Sequence, residues 1–243
     1  MFPPDWIVPD WPAPPGVAAL VTTRTGGVSR GPYASLNLAG HVGDILEDVR
    51  ENRRRLRSHL PAEPFWLEQV HGARCARADR DRPGLAADAA AARTPGAVCA
   101  VMTADCLPLL LCDESARAVA AVHCGWRGLA AGVIEAAVAQ MGVAPERLLA
   151  WLGPAIGQAS YEVGAQVRDA FLAAGPGATE AFRASAPGRW RADLYALARQ
   201  RLAACGVARV SGGGFDTCAE PERFFSHRAS GATGRMAALI WLQ

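Results

Sequence analysis

The chain has 243 residues, of which 51% are hydrophobic and 20% are charged, a balance typical of a soluble globular protein and not of a disordered one. Its formal net charge of +2 gives no reason to expect nucleic acid or an anionic membrane as a partner. None of the 25 basic residues is lysine, which excludes Schiff-base catalysis and a P-loop lysine.

The N-terminal segment and the cysteines predict a cytoplasmic protein. The segment MFPPDWIVPDWPAPPG has neither a basic start nor an apolar run, and no stretch approaches the roughly 18 apolar residues needed to span a bilayer. Seven cysteines at irregular spacing make a poor disulfide framework, so we expect reduced thiols.

Strand-like and helix-like patterns alternate irregularly along the chain. They predict, in order, a strand over 17–23, a loop over 24–44, a helix over 46–60, strands over 97–103, 107–112 and 118–122, helices over 129–141, 163–174 and 192–205, and a strand over 236–242. Asp44 is the predicted N-cap of the first helix. We expect one domain, 1–243, of mixed α/β (α+β) class, without the regular alternation of a TIM barrel or a Rossmann fold.

The stretch TADCLPLLLCDESARAVAAVHCGWRG predicts an apolar hairpin with a cysteine where it begins and a histidine where it ends. A two-residue turn at Glu114 and Ser115 places Cys106 directly opposite His123, on the same face and with Cα atoms roughly 4.5–5.5 Å apart. Such a pair can be buried packing, share a metal ion, or form a nucleophile and its base.

His71, in WLEQVHGARC, is a candidate third ligand. Together with Cys106 and His123 it would make a His₂Cys zinc set with the fourth tetrahedral position free for water, which is the form that catalytic zinc sites take. Arg127 follows His123 in HCGWRG, just before a helix predicted from about Leu129, and a phosphate or carboxylate can bind beside it.

Several motifs together resemble the YfiH family, also known as the polyphenol oxidase (laccase-domain) or purine nucleoside phosphorylase family and, for some members, as peptidoglycan editing factors. The matching stretches run in order over 22–237: TTRTGGVSRGPYASLNLAGHVGD, ENRRRL, WLEQVHG, ADA, MTADCLPLLL, AVHCGWRGLAAGVI, GPAIGQASYEVG and DTCAEPERFFSHRASGATGRMA.

The resemblance implies a site and a fold. His71, Cys106 and His123 would be the zinc ligands, while Arg24, Asn37 and His41 would lie near the substrate pocket. The family fold is a central mixed β-sandwich flanked by helices, similar to the cytotoxic-necrotizing-factor deamidases. Ala159, Ser160 and Ala229 depart from residues usual in the family, which affects substrate selection more than the metal site.

The implied activity is zinc-dependent phosphorolysis of adenosine, inosine and methylthioadenosine, together with adenosine deamination. Zinc would activate water, and Arg24 and Arg127 would hold phosphate. Asp105 is expected to orient a ligand, and His41 to act as acid or base. The expected partners are small-molecule substrates, with no nucleic acid and no membrane, and the chain is expected to be a monomer or small homo-oligomer.

Three other functions stay open at this point. One is an amide hydrolase that edits UDP-MurNAc-peptide cell-wall precursors, by zinc hydroxide or by a Cys106 nucleophile. A second is a copper-binding polyphenol oxidase, although five histidines are few for several coppers. The third is not an enzyme but a binding module that zinc stabilises.

Overall fold

Two β-sheets packed face to face, with helices on both outer sides, make up most of the fold. In the computed structural model, residues 2–173 and 175–243 are described. These residues form thirteen strands: β1 (Val17–Val21), β2 (Pro64–Phe65), β3 (Cys75–Arg77), β4 (Ala89–Ala92), β5 (Val98–Thr103), β6 (Leu107–Asp113), β7 (Val119–Cys124), β8 (Leu148–Leu152), β9 (Glu162–Gly164), β10 (Phe182–Ala186), β11 (Arg189–Ala192), β12 (Arg209–Gly212) and β13 (Met236–Leu242). The same residues form six α-helices: α1 (Leu46–Arg57), α2 (Trp126–Ala131), α3 (Val133–Met141), α4 (Ala165–Leu172), α5 (Leu194–Ala204) and α6 (His227–Ser230).

The strands divide into three sheets. A four-stranded sheet has the order β1-β13-β5-β2, and a six-stranded sheet has the order β12-β8-β6-β7-β4-β3. Both combine parallel and antiparallel pairs, because β2 and β5, β3 and β4, and β8 and β12 run parallel. A small antiparallel sheet, β10-β11-β9, completes the set. The predicted single-domain mixed α/β class is confirmed.

Alternating residues of the central strands face two different cores. On β6, Leu110 packs between the two large sheets, whereas Leu109 and Leu111 pack against the helices on the other side. The four-stranded sheet buries its own outer face, including Leu20 and Leu239, against a third cluster. Burial on both faces explains why these strands are continuous apolar runs in the sequence. The predicted β-sandwich flanked by helices is therefore observed, and its likeness to the deamidases stays a prediction.

The predicted helices exist, but their boundaries differ. The helix over 129–141 begins earlier, at Trp126, and is divided into α2 and α3 because Gly132 adopts a left-handed φ of 95°. The segment 163–174 starts as strand β9, becomes α4 only at Ala165, and its last residue lies outside the described ranges. The segment 192–205 becomes helical after Asp193, whose side chain caps the Ala196 amide.

Asp44 is not the N-cap of α1, so that prediction is wrong. The cap residue is Ile45, and the Asp44 carboxylate instead accepts hydrogen bonds from Ser29 Oγ and Asn37 Nδ2. Within the part of the chain that the structure describes, no helix has both the length and the apolar character needed to cross a bilayer.

Candidate metal centre

The three predicted ligands converge from separate segments of the chain. The candidate ligand atoms of His71, Cys106 and His123 all lie within 4.8 Å of one another. Cys106 Sγ is 4.0 Å from His71 Nε2, and the two imidazole rings meet edge to face with centroids 4.9 Å apart. His123 is 3% exposed, whereas His71 is exposed, so the group opens towards solvent on one side.

The hairpin brings Cys106 and His123 together in a register different from the predicted one. His123 pairs with Pro108, not with Cys106. The turn is longer than expected because the Asp113 carboxylate accepts the Ser115 and Arg117 amides, which adds two residues to the loop. A shift of two residues keeps every side chain on its face, so Cys106 and His123 still share one, as diagonal neighbours.

Two site residues adopt left-handed backbone conformations that are uncommon outside glycine. His71 has a φ of 59°, and Asp105, directly before Cys106, has a φ of 89°. Such residues persist where surrounding contacts hold them in place, and they are found often at functional sites. Here His71 is itself a candidate ligand, and Asp105 is adjacent to another, Cys106.

Asp88 holds two of the three ligands in position. Its carboxylate is fully buried and accepts hydrogen bonds from the backbone amides of Val70, His71 and Gly72, at 3.2, 2.9 and 2.6 Å. It also lies 2.8 Å from His123 Nδ1, which leaves His123 Nε2 as the ligand atom. Burial raises the pKa of Asp88, but the hydrogen bonds from His123 and these amides outweigh burial and hold the pKa below its usual range. Asp88 is therefore an ionised carboxylate that orients the His123 imidazole and holds the backbone of His71.

The Gln69 side chain also fixes the loop that carries His71. Gln69 Nε2 donates to the Met102 carbonyl, and Gln69 Oε1 accepts from the Met102 amide, at 2.8 and 2.7 Å. The segment that carries His71 is thus tied to strand β5 by Gln69 and to Asp88 by three amides. A ligand held by so many bonds needs little reorganisation on binding a cation.

Cys106 differs electrostatically from the core cysteines. Burial raises the pKa of Cys112 to about 12, as expected for a thiol in an apolar core. Burial also acts to raise the pKa of Cys106, but His123 and His71 outweigh it and lower that pKa. In return, the Cys106 thiolate and Asp88 raise the pKa of His123, against the effect of burial. A cysteine that favours the thiolate form is what both a metal ligand and a nucleophile require.

The donors fit a small cation such as zinc. Zinc bound at 2.0–2.3 Å needs ligand atoms roughly 3.3–3.8 Å apart. Cys106 Sγ and His71 Nε2 are 4.0 Å apart and the whole group lies within 4.8 Å, so the side chains would have to close slightly around the ion. Gly125 keeps the space between them open, because a Cβ there would lie 2.9 Å from His71 Cδ2 and 3.1 Å from Cys106 Sγ. One thiolate and two imidazoles are donors that zinc and copper both accept.

The three ligands form one wall of a cavity of about 320 Å³. Two further predicted residues, His41 and Arg127, line it as expected. Burial lowers the pKa of His41, and the positive charges of Arg235 and Arg53 lower it further, which favours a neutral imidazole. The cavity also includes residues for which no role was predicted: Gln69, Met102, Thr103, Ala104, His227 and Arg235.

Arg24 and Asn37, which are predicted to lie near the substrate, do not line this cavity. The Arg24 guanidinium donates to the carbonyls of Ala34 and Pro221 and lies over the Phe225 ring, outside the cavity lining. Asn37 is fully buried and binds the backbone of Ala39 and Arg235. Both residues hold loops in place through these bonds to the backbone, and their contact with substrate stays a prediction.

Asp105 contacts no candidate ligand atom directly and acts on the backbone before Cys106. Its carboxylate accepts hydrogen bonds of 2.6 Å from Thr217 Oγ1 and from the Arg228 amide. It thereby anchors the strained turn before Cys106, whereas the expected contact with a ligand is made by Asp88. A lone acidic residue in the apolar run AADAAAA was the available signal for Asp88, since a buried carboxylate needs partners.

Fold and site define a mixed α/β protein with a preorganised His₂Cys group at the wall of a cavity. The family model described as multi-copper polyphenol oxidoreductase laccase matches residues 18–243. The chain belongs to this family, the YfiH family.

Sequence relatives of similar length agree with this assignment, and so do solved structures. The chain is 57% identical to a protein of Pseudomonas aeruginosa and 52% identical to one of Escherichia coli K12, both named purine nucleoside phosphorylase, with 97–98% of this chain and 98% of each relative covered. A crystal structure from Neisseria meningitidis matches with a TM-score of 0.95 at 49% identity, over 98% of this chain and 99% of that one. YlmD from Geobacillus stearothermophilus matches with a TM-score of 0.89 at 34% identity, over 94% and 93%.

Proposed function

We propose that this protein is a zinc-dependent purine nucleoside phosphorylase that acts on adenosine, inosine and methylthioadenosine and also deaminates adenosine. The observation that carries the proposal is the His71, Cys106 and His123 group, which faces a cavity together with His41 and Arg127. The names of the relatives support the phosphorylase activity.

His71 Nε2, Cys106 Sγ and His123 Nε2 would hold the metal, with Asp88 orienting the His123 imidazole and holding the backbone of His71. Bound zinc supplies Lewis-acid polarisation and a water of lowered pKa. The same donor set would accept copper, so the metal in the cell is part of what the experiments below determine.

In phosphorolysis, an oxygen of hydrogen phosphate forms a bond to the ribose C1′ while the bond from C1′ to the purine nitrogen breaks. The electron pair of the broken bond goes to the base, and the proton of hydrogen phosphate ends on it. Arg127 would hold the phosphate, since guanidinium groups bind oxyanions through paired hydrogen bonds. A neutral His41 would relay the proton, which its lowered pKa favours at neutral pH.

In deamination, water adds at C6 of adenosine and ammonia leaves, giving inosine. This reaction needs no phosphate, so the two activities can be separated in one preparation. The test is to incubate zinc-loaded protein with inosine or adenosine, with and without phosphate. We expect hypoxanthine from inosine only with phosphate, and inosine from adenosine in both conditions. Hypoxanthine release that does not depend on phosphate would contradict phosphorolysis.

A second candidate is the amide hydrolase with Cys106 as nucleophile. The observation that favours it is the arrangement of Cys106, His123 and Asp88, which resembles a nucleophile, its base and an orienting acid, in that order. Amide hydrolysis of a UDP-MurNAc-peptide that survives exhaustive EDTA treatment would support this candidate. Loss of every activity with EDTA, and its return with zinc, would support the metal-dependent enzyme instead.

A further inference from the structure

Arg235 occupies a defined position beside the candidate metal site. Its amide donates to Asn37 Oδ1 at 2.9 Å, and its carbonyl accepts from the Leu38 amide at 3.2 Å. Gly234 allows this close packing, since a Cβ there would lie 2.7 Å from the Phe225 ring and 2.9 Å from Asn37. The backbone of Arg235 is therefore fixed before its side chain contacts any ligand.

Strand register brings this position next to the segment that carries Cys106. Met236, the first residue of β13, pairs with Thr103, the last residue of β5. Arg235 consequently lies beside Ala104, two residues before Cys106, and both Arg235 and Ala104 line the cavity. Arg235 is also close enough to His41 to lower the pKa of that imidazole.

The Arg235 guanidinium has no carboxylate partner. Within residues 2–173 and 175–243, no Asp or Glu oxygen forms an ion pair with it; its Nη1 donates to the carbonyls of Thr233 and Gly234, at 2.9 and 3.0 Å. These two bonds engage one of its three nitrogens and orient the group. Burial lowers the pKa of Arg235, and the more distant charges of Cys106 and Asp105 only partly oppose this effect. A partly buried cation with no anion in direct contact points to a ligand that supplies negative charge.

The charged side chains that line the cavity also favour an anionic ligand. Among the described residues that line it, none has a carboxylate, whereas Arg127 and Arg235 both contribute guanidinium groups. Arg24 offers a contrast, because its Nε, Nη1 and Nη2 all donate to backbone carbonyls. Arg127 and Arg235 therefore both have donors to spare in the cavity, and of the two Arg127 is exposed whereas Arg235 is partly buried.

We propose that Arg235 binds the phosphate cosubstrate, as the inner of two guanidinium groups, with Arg127 at the exposed edge of the cavity. This assignment rests on the proposed phosphorylase function and names the residue that holds its second substrate. A planar guanidinium already oriented by backbone carbonyls can present its remaining N–H groups to two phosphate oxygens.

The test compares Arg235→Met and Arg235→Lys with Arg199→Met as the matched control, all with zinc content and melting temperature measured. The Arg199 guanidinium lies outside the cavity lining and donates to the carbonyls of Val210 and Gly212. Binding of inorganic phosphate alone is followed by calorimetry, and the KM for phosphate by inosine phosphorolysis. We expect Arg235→Met to weaken phosphate binding and raise this KM by about 10- to 100-fold, because hydrogen bonds to charged groups contribute this much. Arg235→Lys should recover part of the loss, since it keeps the charge but not the paired donors. Arg199→Met should stay within about twofold of wild type, because the Arg199 donors bind backbone carbonyls outside the cavity.

The outcomes separate this inference from the function on which it rests. Phosphorolysis with an unchanged phosphate KM in folded, zinc-loaded Arg235→Met and Arg235→Lys would overturn the role of Arg235 and leave the phosphorylase intact. Phosphate binding that depends on Arg235, in a protein that never cleaves inosine, would support the anion site and contradict the proposed function. Equal loss in Arg199→Met would also overturn the assignment.

Discussion

The two ends of the β6–β7 hairpin each lie beside a fully buried aspartate, and the two carboxylates have different partners. At the turn, Asp113 accepts the Ser115 and Arg117 amides and pairs with the Arg117 and Arg147 guanidinium groups. At the open end, Asp88 accepts three loop amides and the Nδ1 proton of His123.

The difference shows how a buried carboxylate becomes part of a site. Arginine neutralises Asp113 permanently, so its charge stabilises the turn and has no further effect. Histidine can share its other ring nitrogen with a cation, so Asp88 transmits its charge and its geometry to a ligand. The same residue type in the same degree of burial is thus structural at one end and, under the proposed function, positions a metal ligand at the other.

The largest effect is expected from a substitution of Asp88, at the open end of the hairpin. Asp88→Asn keeps the shape of the side chain but places an amide NH₂ against backbone donors and His123. We expect zinc affinity to fall by about 10- to 100-fold, as for other partners of ligating histidines. Competition with a chromophoric chelator measures this; zinc affinity equal to wild type in folded Asp88→Asn would show that Asp88 does not position the ligands.

A smaller effect is expected from filling the space between the ligands. In Gly125→Ala the new Cβ lies 2.9 Å from His71 and 3.1 Å from Cys106, so a ligand must move. Overpacking of this kind costs about 1–2 kcal/mol, which corresponds to roughly tenfold weaker zinc binding. Gly177→Ala is the control, because nothing lies within 4 Å of its Cβ position and its φ is not in the left-handed region. Equal zinc affinity in the two variants would argue against a metal in this space.

The smallest effect on the site is expected at the turn. Asp113→Asn should leave zinc affinity unchanged and lower the free energy of unfolding by about 1–2 kcal/mol at neutral pH. Hydrogen bonds from Arg117, opposed by burial, lower the pKa of Asp113 to about 2. A lowered pKa in the folded state stabilises the protein above the unfolded pKa of about 4, and this contribution is lost as pH falls towards 2.

Urea unfolding of wild type and Asp113→Asn between pH 7 and pH 2.5 measures this contribution. The difference between the two proteins should be constant above about pH 5 and shrink below pH 4. If the difference in unfolding free energy grew on acidification, Asp113 would not be an ionised, paired carboxylate. If Asp113→Asn lost zinc, Asp113 would affect the candidate metal site as Asp88 does.

Much of the fold can be predicted from the apolar runs of the sequence. Two of the three candidate ligands can be predicted from the hairpin that two of these runs form. The strand over 236–242 has the predicted boundaries because it is buried on both faces. The hairpin register was wrong by two residues, yet the period of two in a strand kept Cys106 and His123 on one face. The ligand prediction therefore tolerated an error in the turn.

Roles that depend on contacts distant in sequence could not be predicted. Arg24 and Arg235 both stand in matching motifs, and only the tertiary contacts show that one binds backbone carbonyls while the other lines the cavity. Asp88 lies 35 residues from His123, and Asp105 is adjacent to Cys106 but binds Thr217 instead. Proximity in sequence pointed to Asp105, whereas the carboxylate in contact with His123 is that of Asp88.

The central claim is that Cys106 holds a metal on which nucleoside cleavage depends. The most direct measurement is metal content by mass spectrometry, with hypoxanthine release from inosine in phosphate, for wild type, Cys106→Ala and the core control Cys112→Ala. We predict about one zinc per chain and phosphate-dependent release in wild type and Cys112→Ala, with both lost in Cys106→Ala. Wild-type protein that cleaves inosine without bound metal, or Cys106→Ala that keeps its zinc and its activity, would contradict the account.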